Sequence, residues 1–301
     1  MNTRISDLTY NNDFASRINT QRNRLSLFQE RISTGKRINR ASDDPTGTEA
    51  VIKLRTSQKE IQQFQRTSQA ANQKLVAADD ALTGYETILE RVKTLTSQGL
   101  SDTAPQQTRD YLANEIEALR SRILGIANYK NDEEYLFGGT RQNAPPFDPV
   151  TAAPAATPST AQFVQIEPGA NAIAVGVTAE SIFSDATSNI FTDLTNAVAA
   201  LRGTGNAATD RTTLETTMTR LNAYTSLSSM AQATVGINMN GTETASENLG
   251  NSFLHYDERA AAIEDADFAE SATGLTSAQQ SLDATLQVAG KGRRSLFDFL
   301  G

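Results

Sequence analysis

Cysteine is absent from this 301-residue chain, and histidine occurs once, as His255. The first absence removes disulfides, thiolate metal sites, iron–sulfur clusters and cysteine nucleophiles. The second forces any histidine chemistry through one residue. Its acidic neighbours Asp257 and Glu258 would sit on other faces of a helix, so no convergent catalytic or metal site is legible. Tryptophan is absent too, and aromatics make up 6% of the chain. A thick compact core would lack material. Apolar residues stand at 38%, enough for thin cores built from helix seams of Leu, Ile and Ala. No apolar run has the length needed to cross a bilayer. The first residues, Met1-Asn2-Thr3-Arg4-Ile5-Ser6-Asp7, lack the apolar stretch of a secretory signal. Basic excess is also missing. The balance of 27 Lys and Arg against 35 Asp and Glu gives a net charge of −8, which argues against a free-standing nucleic-acid binder.

What the chain does have is seven-residue periodicity. Between Pro45 and Gly99, the residues Leu54, Ile61, Ser68, Leu75, Leu82 and Leu89 fall seven apart. Phe64, Ala71, Ala78, Tyr85 and Val92 follow three residues behind most of them. This pattern predicts one long helix packed along its whole length. Ser42-Asp43-Asp44 supplies N-cap acceptors before Pro45, which suits a first turn, and Gly99 marks the stop. Leu112, Ile116, Leu119, Ile123 and Ile126 give a further seam between Pro105 and Asn128. In the C-terminal half, Leu214, Leu221, Val235, Leu249, Tyr256 and Ile263 share one register, with Ser228 and Thr242 as weaker members. Gly236 and Gly241 lower helix propensity there and allow a bend.

The composition changes in the middle. Six of the eight prolines lie between Pro145 and Pro168. Gly138-Gly139 opens this stretch as a chain reversal, because it lacks the Lys-Ser/Thr of a phosphate loop. Gln162–Ile166 and Ala172–Val177 are short β-prone runs, which predicts a small β-rich insert. Residues 189–201 return to helix. The expected fold is mainly α: a long antiparallel helical rod with N- and C-terminal coiled-coil helices and a small β-rich insert. Three parts follow: a terminal coiled-coil domain of 1–44 with 264–301, a helical rod of 45–138 with 188–263, and an outward insert of 139–187.

Each end carries a narrow apolar stripe. Phe14, Ile18, Leu25, Phe28 and Ile32 form one, and Phe268, Leu275, Leu282, Leu286 and Leu296 form the other. Two helices alone bury a single seam, and ends rich in Gln, Asn, Ser and Thr are marginal as an isolated pair. These ten residues are therefore the candidate assembly seam, ordered by packing on neighbouring copies. Capping accounts for Asp43-Asp44, and for Asp265 or Asp267 within Ile263-Glu264-Asp265-Ala266-Asp267-Phe268. No catalytic, cofactor-binding or metal-ligating residue emerges, and no enzyme is expected.

The stretch Glu30-Arg31-Ile32-Ser33-Thr34-Gly35-Lys36-Arg37-Ile38-Asn39-Arg40-Ala41-Ser42-Asp43-Asp44-Pro45-Thr46-Gly47 resembles the N-terminal signature of the bacterial flagellin superfamily. Ile263-Glu264-Asp265-Ala266-Asp267-Phe268-Ala269-Glu270 resembles its C-terminal partner. Within the superfamily, the filament subunit and the subunit joining hook to filament compete. Tyr135-Leu136-Phe137-Gly138-Gly139, with Pro145-Pro146-Phe147, resembles the junction member, as do Ser295-Leu296-Phe297-Asp298-Phe299-Leu300 and Asp43-Asp44-Pro45. The resemblance implies a structural junction subunit of the extracellular flagellum, exported without a cleaved signal peptide by the flagellar type III apparatus. It implies an export chaperone before secretion, then a helical ring of copies of itself. A hook-associated protein would lie below this ring and flagellin above. Neither nucleic acid nor membrane is an implied partner.

Overall fold

The computed structural model describes the backbone of residues 3–101, 104–131, 133–169, 172–185 and 187–300, with side chains described from residue 12 to residue 288. Helix α1 spans Thr3–Thr34, α2 Pro45–Gly99 and α3 Gln106–Ala127. Strands β1 (Lys130–Asn131), β2 (Glu134–Tyr135), β3 (Phe163–Val164) and β4 (Ile173–Ala174) follow. Helices α4 (Ala179–Phe183), α5 (Ile190–Arg202), α6 (Ala207–Glu264) and α7 (Phe268–Leu300) complete the chain. Helix accounts for 73% of the protein, so the mainly α expectation holds. The chain divides into two units, 1–60 with 252–301 and 61–251.

The heptad register of α2 is its burial register. Leu54, Ile61, Ser68, Leu75, Leu82 and Leu89 are all buried, and Thr96 continues the series. Along α6 the buried series is Leu214, Leu221, Ser228, Val235, Thr242 and Leu249. Within residues 61–251 the two helices run antiparallel. The Ser68 hydroxyl donates to the Thr242 carbonyl (3.0 Å), and Ser229 donates to Glu86 (3.3 Å), so advancing along one retreats along the other. Each fully buried Leu here contributes about 1.5–3 kcal/mol relative to exposure. Gly236 and Gly241 do not interrupt α6, which is continuous over 58 residues. Packing on one face outweighs the ~1 kcal/mol propensity cost of each glycine.

The middle segment belongs to the same core. Here the scarce aromatics are concentrated rather than spread. Phe183 of α4 lies 4.7 Å from Tyr85, 5.8 Å from Phe137, 6.1 Å from Phe147 and 6.3 Å from Phe191, measured between ring centroids. Most of these contacts are edge-to-face, worth about 0.5–1.5 kcal/mol each beyond burial. Strands β3 and β4 pair antiparallel, Phe163 opposite Ala174 and Val164 opposite Ile173. Just outside the strands, Ile166 and Val175 pack with Ala71 and Ala245, which seats this hairpin on α2 and α6. Gly138 and Gly139 do reverse the chain, with the Arg141 amide donating to the Gly138 carbonyl (2.9 Å). The division into terminal, rod and insert parts remains our proposal for how the chain is used.

Among its described residues this unit buries two carboxylates, Asp193 and Asp210. Asp193 of α5 accepts bonds from the Tyr224 hydroxyl (2.7 Å), Arg220 (2.9 Å) and the Ser188 hydroxyl (2.8 Å). Burial, then the bond to this carboxylate, pushes the Tyr224 hydroxyl far above its ordinary range.

Candidate assembly surface of the terminal helices

The unit of residues 1–60 and 252–301 is built on different terms. Helices α1 and α7 pack against each other, yet no described side chain of α1 is fully buried. Phe14, Ile18, Leu25, Phe28 and Ile32 are each half-buried. On α7 only the small residues Ser271 and Ala278 are buried. Leu275 and Leu282 are half-buried, while Phe268 is 69% exposed and Leu286 44% exposed. The side chain of Leu296 lies outside the described residues. The stripe is thus split in burial, with Leu275 and Leu282 half-buried and Phe268 and Leu286 exposed.

Small residues explain the split. A Cβ at Gly274 would collide with the Phe28 ring, so glycine there lets the ring lie against the α7 backbone. The leucines are left to flank this contact rather than form it. Farther along the pair, Asp13, Phe14, Arg17, Ala284, Thr285 and Val288 line an open groove of about 320 Å³. Val288 is 59% exposed at its rim.

The two turns that lead into this helix pair are stitched together. Helix α1 ends at Thr34, and Gly35 takes a φ of +70°, a conformation that L side chains rarely adopt. The Arg37 and Ile38 amides then donate to the Glu264 carbonyl at 2.7 and 3.3 Å. In return the Ala266 amide donates to the Gly35 carbonyl at 2.9 Å. Side chains follow the same path. Lys36 pairs with one oxygen of Glu264, and Arg55 of α2 reaches the other at 3.3 Å. Arg55 also holds Asp257 of α6 at 2.9 Å, and Gln58 donates to that same oxygen at 3.1 Å. Arg37 donates to Asp44 (3.2 Å) and to the Ile263 carbonyl (2.8 Å).

These partners set the acidities. The bond from Lys36, with help from Arg55, holds the Glu264 carboxyl below the usual range against an opposing effect of burial. The Gly47 amide is the main cause that lowers Asp44, with Arg37 next. The Gln58 bond is the main cause that lowers Asp257, with Arg55 after it. The caps sort themselves here. Asp44 caps α2 by accepting from the Gly47 amide (2.8 Å), whereas Asp43 accepts from the Asn39 and Arg40 amides and closes the preceding turn. Asp267, not Asp265, caps α7, accepting from the Ala269 and Glu270 amides.

The residues that resemble the two family signatures are therefore largely the ones that bond to each other. Sequence reasoning missed Lys36, Arg55 and Asp257 as partners, since their links to Glu264 and to one another span two hundred positions. His255 sits exposed on α6. Among the described residues no group of three His, Cys, Asp or Glu is placed to hold a metal ion, and no helix is long and apolar enough to cross a membrane.

Comparison with known proteins agrees with this geometry. Residues 5–142 match the family described as the bacterial flagellin N-terminal helical region. The flagellar hook-associated protein 3 of Salmonella typhimurium is 26% identical over 212 residues, covering 65% of this chain and 66% of that protein. A flagellin of Clostridium tyrobutyricum is 32% identical over 117 residues, covering 39% of this chain and 31% of that protein. The chain thus spans just under two thirds of the first relative and under a third of the second. In fold, a flagellar hook-associated protein of Vibrio parahaemolyticus superposes with a TM-score of 0.68 at 16% identity, over 74% of this chain and 99% of that one. The chain is thus similar to the bacterial flagellin N-terminal helical region over residues 5–142 and, at 26% identity over a longer stretch, to a flagellar hook-associated protein 3.

Proposed function

We propose that this chain is a structural subunit of the bacterial flagellum, placed between the hook-associated protein below it and the flagellin filament above. The observation that carries the reading is the α1–α7 pair, in which none of the described stripe residues is fully buried. A head-to-tail array of copies would cover it, because heterologous contacts between asymmetric subunits build open helical assemblies. The name of the Salmonella relative favours the hook-associated role over the filament role. The subunit has no catalytic task in this reading, in keeping with a family of flagellar structural proteins. It is exported unfolded through the flagellar type III apparatus with a chaperone and without a cleaved signal peptide. It works outside the cell in the flagellum.

Deletion of the gene is the direct test. Cells should keep intact hooks and leak flagellin into the medium, and normal filaments would overturn the reading. The likeness to a Clostridium flagellin over 117 residues supports a second reading, a filament subunit. That reading requires purified protein to elongate seeded filament fragments into long filaments. Binding at the hook's tip without elongation supports the junction.

A further inference from the structure

The cluster around Glu264 joins groups from three segments: Lys36 and Arg37 in the turn after α1, Asp44 and Arg55 around the start of α2, and Asp257 and Glu264 in the last turns of α6. We propose that these residues form a charge-operated clasp. The Glu264 carboxylate holds the 35–44 and 264–267 turns together and so keeps α1 beside α7, and neutralising it frees the helix pair while the rest of the chain stays folded.

Three observations carry this. First, the Glu264 side chain is 12% exposed and bridges two cations from different segments, Lys36 and Arg55. Its backbone carbonyl accepts the Arg37 and Ile38 amides at the same point. One residue therefore anchors both the charged and the backbone links. Second, α1 has little else to hold it, since none of its described side chains is fully buried. Third, the balance of charge is one-sided once the carboxylate is lost. Lys36, Arg37 and Arg55 would then face Asp257 and Asp44 alone, and Asp44 is already committed to the α2 cap and Arg37. Asp265 stands beside the cluster on the exposed side, and Glu30 is paired with Arg40.

The sign of the pH response follows. Glu264, Asp44 and Asp257 all have pKa values lowered below the usual carboxylate range in the folded chain. Their contribution is complete above the unfolded carboxylate value, about pH 4, and is lost as pH falls through the lowered values. The clasp is closed at neutral pH and opens in acid. Because three carboxyls titrate in one window, acid alone does not isolate Glu264, and a neutral substitution at neutral pH does.

Hydrogen exchange of the full-length chain at pH 7 reads the clasp directly. The reporters are the peptides carrying the Arg37, Ile38 and Ala266 amides and the peptides of α1. Glu264→Gln should speed their exchange about tenfold, the order expected for loss of hydrogen bonds to a charged group. Peptides covering Leu75–Leu95 should be unchanged. Arg55→Gln, which removes the second cation and leaves Glu264 in place, should give a smaller increase at the same peptides. If neither variant changes exchange at the turns, the clasp is wrong. If exchange rises equally in Leu75–Leu95, Glu264 is a general stabiliser and the clasp is equally wrong.

Discussion

The α2–α6 seam and the α1–α7 pair carry similar apolar patterns and are finished to different degrees. In α2, six successive heptad positions from Leu54 to Leu89 are buried. In α1, five stripe residues from Phe14 to Ile32 all stop half-buried. A heptad pattern fixes the width of the face a helix must cover, but it does not say whether the cover lies in the same chain. Neighbouring elements settle that. Helices α3 and α5 and the aromatic cluster around Phe183 close over the core that α2 and α6 share, while among the described residues α1 packs on α7 without a fully buried side chain of its own.

That contrast can be broken or sharpened by three substitutions. The largest effect on the free subunit should come from Leu82→Ala, which opens a cavity in a fully buried layer. It should cost about 2–5 kcal/mol, read as a lower denaturation midpoint at unchanged slope. A midpoint that stays put would mean that the α2 core is no tighter than the terminal pair. Gly274→Ala comes next. Helix propensity alone predicts stabilisation by about 1 kcal/mol, whereas the structure predicts that the Phe28 ring is expelled. Trypsin should then cut faster at Arg17, Arg22, Arg24 and Arg31, with the main melting transition unmoved. Slower cutting would show that propensity wins and that the ring contact is not what pairs the helices. The smallest effect on the free subunit belongs to Leu286→Asp, an exposed site where a change within about 0.5 kcal/mol is expected. In cells the same variant should fail to enter flagella, because an unpaired charge is buried when a neighbouring copy covers the stripe. Normal incorporation would remove Leu286 from the seam.

Much of the fold is legible in the sequence because periodicity is a local property. The α2 register, the α6 register, the extent of α3 and the location of the two β-prone runs all follow from spacing and turn residues. The cap at Asp44 follows too, from Pro45 beside it. The candidate surface is only half legible. Its stripe residues can be counted off, but Phe268 and Leu286 are exposed while Leu275 and Leu282 are half-buried. That split depends on which small residue lets a ring approach, and nothing in the pattern singles out Gly274 for Phe28. The clasp is hidden for a different reason. Arg55 and Asp257 look like ordinary charges on helix surfaces, and their meeting is a product of the tertiary fold. The aromatic cluster was masked by averages, since a low overall content conceals local concentration.

The Lys36–Glu264 contact joins positions 228 apart in sequence, and this separation has a kinetic consequence. Closing so long a loop carries an entropy cost that local helix formation does not. As the chain folds, residues 3–34 gain their partner only when this distant contact closes. The buried core from Leu75 to Val235, by contrast, closes within the 61–251 unit. The terminal helices are therefore the last part of the subunit to acquire fixed structure, and a chain cut short before Glu264 should hold a formed interior with its first helix never docked.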